Sequence, residues 1–61
     1  MKPKVKLTGQ DGNIFNLVGI ASREMKRNGL AEEARKMQGE IMSCGSYDEA
    51  LHKISEYCEV S

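Results

Sequence analysis

The stretch Ile14-Phe15-Asn16-Leu17-Val18-Gly19-Ile20-Ala21-Ser22-Arg23-Glu24-Met25-Lys26-Arg27-Asn28-Gly29 decides the fold. Within it Ile14, Val18, Ala21 and Met25 recur at steps of four, three and four, with Leu17 beside them. That is the apolar stripe of an amphipathic helix, not the alternation of a strand. Asn28 and Gly29 tolerate the left-handed backbone of a helix C-cap, and Lys26 and Arg27 sit where the helix dipole favours cations. The spacing predicts a helix over 14–28.

Downstream, Leu30, Ala34, Met37 and Ile41 repeat the same steps, with Glu32 and Glu33 in the first turn and Gly45 as terminator. A second helix over 31–43 follows. Ser46-Tyr47-Asp48-Glu49 has the Ser-x-x-Glu form of a capping box, in which the hydroxyl takes one orphan backbone N–H and the carboxylate reaches back to another. It opens a third helix over 47–58, striped by Tyr47, Leu51, Ile54 and Cys58 and flanked by Ala50 and Tyr57.

Upstream, Lys4-Val5-Lys6-Leu7-Thr8 alternates polar and apolar residues and predicts a short edge strand over 4–8, its lysines guarding the open side and Pro3 marking its start. The final residues Cys58-Glu59-Val60-Ser61 alternate as well, so they can leave the third helix and pair with that strand. Gly9-Gln10-Asp11-Gly12-Asn13 is a turn into the first helix, with Asp11 or Asn13 as its cap. Short connections make the helices antiparallel neighbours. The expected fold is a mostly α, small three-helix bundle in one domain, with a short N-terminal strand.

Length and composition narrow the function. Sixty-one residues with 39% apolar content build a core that buries roughly 60% of the unfolded surface, so stability is expected to be modest. Nine basic and nine acidic side chains cancel, which removes the global pull toward nucleic acid or an anionic membrane. The zero is divided, however. Residues 1–27 carry six positive and two negative groups, net +4, and residues 28–61 carry three positive and seven negative, net −4. The halves should attract, within one molecule or between two.

Cys44 and Cys58 lack the spacing of a zinc motif, and His52 is the lone histidine, so no metal or cofactor is expected. Free thiols in a cytoplasmic protein are the expectation, with one disulfide as the alternative. The start lacks a signal-peptide pattern, and no apolar run approaches the roughly 18 residues a membrane span needs. The Gly9–Asn13 turn lacks the spaced acids and closing Glu of a calcium loop. His52 has only ordinary surface companions at helical spacing, so catalysis is not assigned to it.

Two candidate binding features remain. Gln10, Asp11, Gly12 and Asn13 form a glycine loop with directed hydrogen-bonding groups at a helix N-terminus, a place where an anion or partner can approach, although neither nucleotide fingerprint is present and Asp11 would repel phosphate. Phe15, Ile20, Ala31, Met42 and Tyr57 fall partly off the tightest core lines. Phe15 is expected to widen the core stripe while remaining a candidate contact beside the loop. Ile20 and Met42 are balanced between core and partner surface.

Lys6-Leu7-Thr8-Gly9-Gln10-Asp11-Gly12-Asn13-Ile14-Phe15, the basic first helix ending at Asn28-Gly29, and Ser43-Cys44-Gly45-Ser46-Tyr47-Asp48 together resemble a group of short proteins from phages and integrated mobile elements of Firmicutes and related gut bacteria. The resemblance spans most of the chain, and Ser46 stands where that group more often has Asp. It implies a genetic context in which short accessory proteins often inhibit or sequester host components without being enzymes. Three functions are therefore carried forward. The first is a non-enzymatic interaction protein that binds a host protein, including a defence factor, or itself as a homodimer. The second is a sequestering protein for a nucleotide or similar anion at the Gly9–Asn13 loop. The third is a DNA-binding helical module, disfavoured because the second and third helices are acidic and repel phosphate.

Overall fold

The computed structural model describes residues 2–9 and 12–61. Met1, Gln10 and Asp11 lie outside the described residues, so two of the candidate loop residues are not placed. The element order is β1 (Lys4–Val5), α1 (Ile14–Arg27), α2 (Ala31–Met42), α3 (Tyr47–Tyr57) and β2 (Glu59–Val60). The chain is thus the expected small three-helix bundle, with an N-terminal strand paired to the C-terminal residues.

Local chemistry sets the helix ends. The Asn13 side chain accepts a 2.9 Å hydrogen bond from the Phe15 N–H and caps α1. At the other end Gly29 adopts φ 77°, the Leu30 N–H donates to the Met25 carbonyl at 2.8 Å, and the Gly29 N–H donates to Lys26 at 3.1 Å. This pair of reversed bonds engages the Met25 and Lys26 carbonyls, the first shared with the Asn28 N–H at 3.0 Å, and turns the chain directly into α2. Leu30 is the flanking residue of α2 and lays its side chain against the core. α2 stops at Met42, three residues before Gly45, which is not in a left-handed conformation. Ser43 and Cys44 close the helix through backbone bonds to Glu40 and Ile41, so glycine is not needed as the terminator. The Ser46 hydroxyl accepts from the Glu49 N–H at 3.2 Å, while the Glu49 carboxylate reaches back to the Gly45 N–H at 3.4 Å.

The strand is shorter than its alternation suggests. β1 and β2 pair in parallel, Lys4 opposite Glu59 and Val5 opposite Val60. Past that register the Leu7 and Thr8 N–H groups converge on the single Ser61 carbonyl, at 2.8 and 3.1 Å, which bends the chain into the turn at Gly9, where φ is 84°. α3 ends at Tyr57. Cys58 is extended, with its N–H still bonded to the Ile54 carbonyl, and hands the chain to β2.

The core joins β1 and the three helices: Val5 and Leu7 from the N-terminal segment, Leu17, Ala21 and Met25 from α1, Ala34 and Met37 from α2, and Ile54 of α3 with the Cys58 that follows it, while both residues of β2 are exposed. Ala21 and Ala34 are fully covered, and small residues at such points let helix axes approach closely. One polar pair bridges α1 and α2: Gln38 Nε2 donates to the buried Ser22 hydroxyl at 2.7 Å. Across α2 and α3 the Tyr57 hydroxyl donates to Glu40 Oε1 at 2.7 Å, with Lys53 3.9 Å from the same carboxylate and 3.1 Å from Glu56. The Tyr57 phenol is pushed above its ordinary range, first by its bond to the Glu40 carboxylate. The Lys53 ammonium is pushed up mainly by its hydrogen bond to Glu56.

Candidate functional site

Stripe geometry places most of each helix's apolar face inward, and what remains outside is concentrated in one place. The first half of α1, from Ile14 to Ser22, carries no charged side chain. It faces the second half of α2, and the connection Cys44–Ser46 with the start of α3 closes the space at one end. The result is a groove of about 740 Å³ lined mainly by Ile14, Phe15, Val18, Gly39, Met42 and Tyr47. Among the described residues Arg35 is the one ionised side chain on its walls, and Gln38 and Cys44 contribute to them.

Phe15 is 74% exposed and Met42 77% exposed. Phe15 therefore does not widen the core stripe, the role expected of it; it opens the groove beside the end of α2, and no element among the described residues covers the ring. Met42 lies on the surface side of its two alternatives. Ile20 lies on the other, half-buried and packed against the core. The off-stripe apolar residues thus divide: Phe15 and Met42 meet at the groove, and Ile20 does not line it.

Tyr47 is a groove residue that stripe counting assigns to the core. It is 46% exposed, and its hydroxyl donates to the Gly12 carbonyl at 2.7 Å, tying the start of α1 to the start of α3. That bond, with the Asn13 cap, shows how the described part of the glycine loop is held: the Gly12 carbonyl and the Asn13 side chain both serve the helix starts. Gly12 itself approaches the tyrosine, since a β-carbon there would come within 3.7 Å of the hydroxyl.

Gly39, Arg35 and Gln38 escape a sequence reading based on apolar stripes. Their signal is the spacing Arg35, Gln38 or Gly39, Met42, which puts them on one side of α2. Gly39 sits in the middle of a helix, where glycine is roughly 1 kcal/mol worse than alanine. A β-carbon there would meet nothing within 4 Å. Packing inside this chain does not explain it.

The remaining titratable groups lie elsewhere. His52 is exposed on α3, with Nε2 3.5 Å from Glu56, and does not line the groove. Both cysteines are free: Cys44 is half-buried beside the groove, donating to the Glu40 carbonyl, and Cys58 is in the core. Burial pushes the Cys58 thiol up, and the Glu24 carboxylate adds to the effect. Among the described residues no group of three or more His, Cys, Asp or Glu side chains converges as a metal site, and no helix is long and apolar enough to cross a membrane.

No protein-family model, curated protein or solved structure matches the chain.

Proposed function

We propose that the chain is a non-enzymatic interaction protein that acts in the cytoplasm by contact with another protein, the groove between α1 and α2 being its contact surface. In the phage and mobile-element setting that the sequence resembles, such contact serves to inhibit a host factor. The observation that carries the reading is the pairing of two strongly exposed apolar side chains, Phe15 and Met42, on the rim of an apolar groove. Scattered surface apolar residues are ordinary, but a contiguous patch with a concave centre is a recurrent mark of protein contact. Aromatic and methionine side chains supply large, adaptable contact area at such sites.

The test compares the wild-type chain with the double variant Phe15→Glu, Met42→Glu. Both positions are exposed, so the variant should keep the wild-type helical content. Immobilised wild-type protein should retain a specific protein from a bacterial host lysate, and the variant should lose it. Equal retention by the two proteins would remove the groove as the contact surface.

A further inference from the structure

We infer that the groove binds a small amphiphile, a linear carboxylate of the medium-chain fatty acid class, with its carboxylate on Arg35 and its apolar chain running toward Phe15 and Met42. This goes beyond contact with a protein, because the ligand is a small molecule held between the two helices. The volume of about 740 Å³ falls within the roughly 300–1,000 Å³ of small-molecule sites, which are mostly apolar with a few placed polar groups. Ile14, Val18 and Ile41 are half-buried and form an apolar bed, and Phe15 and Met42 stand exposed beside it. Gly39 lies between Arg35 and Met42 on α2, and a β-carbon there would meet nothing within 4 Å, so the wall is clear from the cation to the rim. That run of seven residues is about 10 Å long, a length an extended alkyl chain covers. Packed helices lie about 8–10 Å apart, so the crevice between them takes a single alkyl chain, whereas a helix of roughly 10–12 Å diameter rests above it.

The polar groups on the walls decide the class of ligand. Gln38 donates to Ser22, Cys44 to the Glu40 carbonyl and Tyr47 to the Gly12 carbonyl, and the Ser46 hydroxyl accepts from the Glu49 N–H. Arg35 differs from them: it has no hydrogen-bond or ion-pair partner among the described residues, and Glu32, one turn before it on α2, forms no ion pair with it. The groove therefore asks for one anionic group and an apolar remainder. A planar guanidinium takes both oxygens of a carboxylate through paired hydrogen bonds, and the bed takes the hydrocarbon. A nucleotide or a sugar does not fit these terms, since its many polar groups would lie against Ile14 and Val18 without partners. A neutral hydrocarbon fits the bed and leaves the cation unused.

The experiment is an NMR titration of the full chain with decanoate below its micelle concentration, and with decanol as the uncharged control. Decanoate should shift the methyl resonances of Val18, Ile41 and Met42 saturably, with one molecule bound per chain. Arg35→Gln should weaken decanoate at least about tenfold and bring acid and alcohol to similar affinities. Gly39→Leu should block both ligands without loss of helical content, because leucine fills the open wall and favours the helix. Absence of saturable shifts overturns the inference, as does a wild-type chain that binds decanol as tightly as decanoate, or binding indifferent to Gly39→Leu. A chain that ignores decanoate yet retains a host protein through Phe15 and Met42 overturns the inference and upholds the protein-contact reading. Decanoate bound as described, with no protein retained, upholds the inference and sinks that reading.

Discussion

The same substitution, glycine to alanine, should have opposite signs at two positions of this chain. Gly29 has φ 77°, and a β-carbon there would touch nothing, so the cost of Gly29→Ala is backbone strain alone. The left-handed conformation costs other residues roughly 1–2 kcal/mol, and chemical denaturation should show Gly29→Ala destabilised by about that amount. The thiols give a second residue-scale prediction. Burial raises the Cys58 pKa above its unfolded value, so its contribution to stability is fully present below the ordinary thiol range near about 8.5. As pH rises the unfolded chain ionises first, and the contribution is lost as pH climbs through the raised value. Tyr57 is shifted in the same direction from a phenol's higher ordinary value, near about 10. Between those ranges, denaturation midpoints of the wild-type protein should fall with pH, and Cys58→Val should flatten the fall. A disulfide-exchange reagent should meanwhile modify half-buried Cys44 well before Cys58 in the native protein.

At the scale of the helices, capping and propensity can be separated from packing. Ser46→Ala removes the acceptor for the Glu49 N–H and should cost about 1 kcal/mol. Gly39→Ala, measured in a Phe15→Glu background so that association does not contribute, should instead gain up to about 1 kcal/mol, because the new methyl group meets nothing. No change there would mean that a neighbour the free chain supplies already fills the space. These contrasts also explain what could be read from the sequence. Asn13, the Asn28-Gly29 pair and the Ser46-x-x-Glu49 box act within one helix turn, so their residue types alone place the helix starts and one sharp stop. The pairing of the last residues with Lys4–Val5 was legible as alternation, but its parallel direction and two-residue length were not, since they depend on how three helices return the chain. Phe15 and Tyr47 were misplaced for one reason: a stripe says which way a side chain points and cannot say how far the facing helix extends. α2 ends at Met42, and both rings lie on the groove beside that end and remain exposed. Gly39 was invisible to stripe counting because its meaning is an absence of side chain, apparent only when the surrounding space is known.

For the whole molecule, the decisive quantity is thickness. The bundle extends 16 Å along its shortest axis, which holds two layers of helices at the usual separation of about 8–10 Å between axes. Two layers leave an outer side of every helix uncovered, so apolar surface left over from the core must face water or another chain. Much of the covered core is alanine and methionine, with Leu17 and Ile54 as its larger branched members from the helices, so the folded monomer has little stability in reserve. The division of charge into a basic first part and an acidic remainder sets Lys4 in register with Glu59 across the two strands, while Arg35 is exposed on the groove wall with no ion-pair partner among the described residues. A partner that seats in the groove only in the native state links folding to association, and where that partner is a second copy of the chain, stability depends on protein concentration. Each tenfold increase in concentration above the dissociation constant adds about 1.4 kcal/mol per dimer, or about 0.7 kcal/mol per chain. For a domain of this size that should raise the thermal midpoint by roughly 3–6 °C per decade. Scanning calorimetry of the wild-type chain at rising concentrations should show that shift where a second copy fills the groove, and Phe15→Glu should then abolish it, leaving a lower midpoint that no longer moves. A concentration-independent wild-type midpoint would mean that the thin bundle stands on its own and that its exposed phenylalanine serves some other partner.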